Sequence, residues 1–117
     1  MKRSVAMLSV GIVVAGLSCG IPAIADVPDS VTITAAKTPA DHEAIAKAYE
    51  SEAASLEKMA AVHKNLGETY TTQGGGKTWH AAQAKHCDKV GLELAAAAKE
   101  ERALAAEHRK MAATAGK

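Results

Sequence analysis

The chain of 117 residues contains no phenylalanine, one tryptophan and two tyrosines. With so little aromatic area each residue brings little apolar surface, so a small domain built from it closes only a thin core of its own. Cysteine is equally scarce: Cys19 and Cys87 exclude a disulfide-stapled framework. All three prolines lie in the first third, at 22, 28 and 39. Charge of one sign is also missing, with 14 basic against 13 acidic residues and no basic stripe interleaved with aromatics. A nucleic-acid partner is therefore not expected.

The apolar run from Val5 to Leu17 falls short of the about 20 residues a membrane-spanning helix needs. Preceded by Lys2 and Arg3 and followed by Ala23 and Ala25, it reads as a secretory signal peptide over 1–25, cleaved before Asp26. Export to the periplasm follows. A lipoprotein acylated at Cys19 is the competing reading and the only one that ties the chain to a membrane; Gly16 stands where its leucine belongs. Cleavage after Ala25 leaves 12 basic residues against 13 acidic ones and Cys87 as the single cysteine. A disulfide could then form only between two copies.

What is abundant is alanine at helical spacing. Residues 26–37 alternate at Val31, Thr32, Ile33 and Thr34 and predict an extended arm. Thr38 as N-cap, Pro39 in the first helical position and Asp41 in the third start a helix over about 39–66. The stretch 67–77 with its three glycines predicts a reversing loop, and a second helix follows over about 79–113, with Trp79 near its start. The fold class is all-α: an antiparallel, coiled-coil-like hairpin over 38–116 that dimerises into a four-helix bundle.

Both helices carry a seven-residue repeat. One set is His42, Tyr49, Leu56, His63 and Tyr70 against His80, Cys87, Leu94, Glu101 and His108. The other is Ile45, Glu52, Met59 and Leu66 against Ala84, Gly91, Ala98 and Ala105. Reversal at Gly75 pairs residues whose numbers sum to 150: His42 with His108, Tyr49 with Glu101, His63 with Cys87, Met59 with Gly91. Apolar side chains left over at Ala48, Val62, Val90, Ala97, Leu104 and Met111 line one flank. Such a stripe calls for a homodimer or another protein partner.

Two layers carry candidate chemistry. Met59, His63 and Cys87, with His86 adjacent, form a soft donor set suited to copper and less well to zinc. The packing alternative makes Cys87 a buried hydrophobe and His63 a satisfied core residue. His42 and His108 are a secondary position for a metal or haem. Glu52 and Glu101 are seam carboxylates that fix register or bind a cation, without the Glu-x-x-His motif of carboxylate di-metal bundles. No enzyme is expected: Cys87 and His86 point about 100° apart on a helix, no oxyanion donor is evident, and "GGGKT" lacks a phosphate loop's first glycine and strand. A redox role for Cys87 is the least supported alternative.

"KTPADHEAIAKAYESEA" and "HCDK…LAAEHRKMA" resemble small exported α-helical proteins of Gram-negative bacteria across nearly the whole mature chain. The resemblance implies a helical fold and export and no activity. The expected function is a non-enzymatic periplasmic binding protein holding a soft metal, or alternatively a structural or protein-interaction module without metal.

Overall fold

The computed structural model describes residues 27–73 and 78–117. The expected leader, Cys19 and the hinge glycines 74–76 lie outside them. Three helices follow one another: α1 over Ser30–Ala35, α2 over Pro39–Gln73 and α3 over Thr78–Ala115. There is no strand among the described residues, and α2 and α3 pack along each other as a hairpin. At about 1.5 Å per residue each long helix spans more than about 50 Å.

α2 begins where the sequence placed its cap. The Asp41 amide donates to Thr38 Oγ1 at 3.2 Å, while Asp41 Oδ2 accepts from the amides of Thr38 (2.9 Å) and Lys37 (3.0 Å). This reciprocal box satisfies amides that a helix start leaves without partners. The expected stop at Leu66 is not observed. Gly67 is buried in the seam and α2 runs on to Gln73, because 68–73 contains no further breaker.

The arm also differs from expectation. Ser30–Ala35 forms one and a half turns of helix, capped by Asp29, whose carboxylate accepts from the Thr32 amide at 2.7 Å. With no second strand available to pair, the backbone satisfies itself locally. Ile33 and Ala36 pack on Ile45, Ala46, Tyr49 and Ala105, the main core cluster.

The antiparallel register is fixed at both ends of the first seam set. His42 meets His108, and the rings of Tyr70 and His80 lie 6.0 Å apart; both pairs sum to 150. The second set is displaced by one residue in the far half of α2. Met59 and Leu66 are exposed, and Ala60 and Gly67 take their places. A Cβ on Gly91 would lie 3.4 Å from the Ala60 carbonyl oxygen and 3.6 Å from the His63 Cβ, in ordinary contact, so Gly91 faces the α2 backbone at Ala60 rather than Met59.

The physical reason is a ladder of small residues. Ala46, Ala53, Ala60 and Gly67 recur every seven positions on α2, and Ala84, Gly91, Ala98, Ala105 and Ala112 on α3. Every one except Ala60 is buried, and Ala60 is half-buried. Small side chains let the backbones approach closely, and the interior they form is dense without large groups.

Candidate functional site: polar layers in an alanine seam

The seam is interrupted by polar side chains at three levels. Nearest the open end, His42 Nδ1 and His108 Nδ1 are 3.1 Å apart, and the ring centroids are 5.4 Å apart. The centroid separation is close to the N···N distance plus both ring radii, so the two nitrogens lie on the line joining the rings. One imidazole donates and the other accepts along that line, the geometry of a single hydrogen bond. The two histidines expected to share a level are thus brought together, hydrogen-bonded to one another. The Tyr49 ring covers His108 at 5.8 Å. His108 is buried, and desolvation together with the nearby His42 lowers its pKa below the usual histidine value.

Two to three turns further along lie the carboxylates. Glu52 is 8% exposed and its Oε2 is buried without a hydrogen-bond partner. Glu101 is half-buried, and its Oε2 is likewise buried and unpartnered. Burial pushes the Glu101 carboxyl above the usual range, and the charge on Glu52 adds to the rise. No basic side chain offsets it. Arg102 Nε and Nη2 donate to both oxygens of Glu57 at 2.9 and 2.8 Å, and Arg109 forms a two-pronged pair with Glu50. Glu50 and Glu57 are accordingly held below the usual carboxylate range by their arginines.

The third level holds His63 and Cys87. Cys87 is a buried free thiol and His63 is half-buried, with Nδ1 buried and unpartnered. Gly91, one turn beyond Cys87, abuts the His63 Cβ, so the two helices present both donors to the same stretch of seam. The other two members of the expected soft set are placed differently. Met59 is 40% exposed and His86 is exposed on the outer surface of α3. Among the described residues no three His, Cys, Asp or Glu side chains converge as a metal site.

The two flanks of the hairpin are unlike. Positions one after the first seam set turn to one side, and there Glu43, Glu50 and Glu57 face Arg102 and Arg109. Positions three after it turn to the other. That side carries Met59 and Leu66 with Val62 on α2, and Val90, Ala97, Leu104 and Met111 on α3. Met59, Val62, Leu66, Leu104 and Met111 are each 40–56% exposed. α1 covers only the Ile45 end of it.

A cleft between α1 and α2, lined by Val27, Val31, Ala35, Ile45 and Ala48, offers little chemistry. Its two acids, Asp29 and Asp41, are already engaged as helix caps. No helix among the described residues is long and apolar enough to cross a membrane. No protein-family model, curated protein or solved structure matches the chain.

Proposed function

We propose that the mature chain is an exported, non-enzymatic helical module that works by protein association, self-associating through its apolar flank into a four-helix bundle. The observation that carries this reading is the inequality of the flanks. One side is bridged by inter-helix ion pairs over its open-end half, while the other leaves methionine, valine and leucine in water over most of the hairpin's length. Exposed apolar area of that extent is relieved by a second apolar surface. A two-fold partner supplies one of matching length and chemistry.

Charge placed on that flank tests the reading. Val62→Glu and Leu104→Glu are expected to shift residues 26–117 to monomer in size-exclusion chromatography with light scattering. Ala103→Glu, on the exposed outer surface of α3, is expected to leave association unchanged. Equal behaviour of all three variants would remove the flank as the contact surface.

A second reading rests on the third polar level. The unpartnered His63 Nδ1 and the buried Cys87 thiol, on facing helices in one stretch of seam, are a nitrogen and a sulfur donor of the kind copper(I) prefers. Anaerobic copper(I) titration of the mature protein tests it. Stoichiometric binding lost in His63→Ala and Cys87→Ser supports the reading, and binding indifferent to both substitutions contradicts it.

A further inference from the structure

The Glu52–Glu101 level poses a problem that the association reading leaves unsolved. Two carboxylates sit in an alanine-rich seam, each with one oxygen removed from water and no hydrogen-bond donor. Buried ionised carboxylates are costly unless compensated, by several kcal/mol each in real proteins. The nearest arginines are committed in two-pronged pairs to Glu57 and Glu50 on the opposite flank, and no other basic group acts on Glu101. What the level lacks is positive charge.

We propose that Glu52 and Glu101 together hold a hard divalent cation of the magnesium and manganese class, bridging α2 and α3. The donor set is oxygen only, which selects such ions over the soft metals that His63 and Cys87 suit. An ion of this class keeps several of its own waters and takes one or two carboxylates from a protein, and Glu52 and Glu101 are the two carboxylates at this level. Glu52, more than nine-tenths buried with Oε2 unpartnered, supplies the fixed ligand. Glu101, half-buried, supplies the second and leaves a route from solvent. The inference is independent of self-association, because both ligands belong to one hairpin.

Magnetic resonance of Mn(II) titrated into the metal-stripped mature protein at pH 7.5 reads binding directly, with thermal unfolding in parallel. One ion per hairpin is expected, with a higher melting temperature, competition by Mg(II), and affinity weakened about tenfold or more in Glu52→Gln and in Glu101→Gln. Both neutral variants are expected to melt higher than the metal-stripped parent, which shows that they fold. Glu107→Gln, on the exposed surface, controls for loose binding to acidic side chains. Absence of Mn(II) binding, or binding unchanged in Glu52→Gln and Glu101→Gln, overturns the proposal.

Discussion

Two titrating residues in the seam pull stability in opposite directions with pH. The folded pKa of Glu101 is raised by burial and by Glu52, so folding favours its protonated form. Its contribution is complete below the ordinary glutamate value of 4.5 and is lost as pH rises through the folded value. His108 behaves conversely. Its folded pKa is lowered, so stability present above the ordinary value of 6.5 is lost as pH falls toward the folded value. Denaturant titrations in chelator from pH 4 to 8 are expected to show Glu101→Gln relieving the loss toward neutrality. His108→Gln is expected to flatten the acid side and to cost about 0.5–1.5 kcal/mol at neutral pH, the value of one hydrogen bond. The facing of His42 and His108 was legible from the seven-residue register. Their Nδ1-to-Nδ1 hydrogen bond was not, because spacing places two rings at one level without orienting either.

Among the elements, the start of α2 was legible residue by residue, since Thr38, Pro39 and Asp41 each serve a distinct need of a helix terminus. Thr38→Ala is expected to destabilise the chain by about 1 kcal/mol in chemical denaturation, the usual cost of a lost N-cap. The end of α2 was misread because Gly67, a breaker by propensity, lies inside the helix, buried in the seam. Added there, a Cβ would meet the Asp88 carboxylate at 2.6 Å. Gly91 can be tested more cleanly, since every neighbour of an added Cβ lies at 3.4 Å or beyond. Gly91→Ala is expected to be neutral or to stabilise by up to about 1 kcal/mol through helix propensity, whereas Gly91→Val is expected to lose about 1–3 kcal/mol to overpacking. The ladder explains why Met59 was assigned to the seam. A seven-residue count started from His42 lands on Ile45 and Glu52 correctly and then on Met59, one residue short of the small Ala60 that close packing selects. Without a neighbouring strand, α1 likewise could not keep the extended form its alternation suggested.

At the scale of the whole molecule, a hairpin sealed by alanine buries few large side chains, and Met59, Val62, Leu66, Leu104 and Met111 share one exposed flank. The absence of phenylalanine and the scarcity of other aromatics already pointed to a thin core, and the structure has one. Which apolar side chains stay exposed depended on the register. The ion pairs close one side, and only their placement identifies the other as the side left open. Sedimentation equilibrium of residues 26–117 at several loading concentrations is the most direct test of that conclusion. A mass twice that of the chain, falling toward one only on dilution, is the expected result. A single-chain mass throughout, with Met59, Leu104 and Met111 left in water, would contradict it.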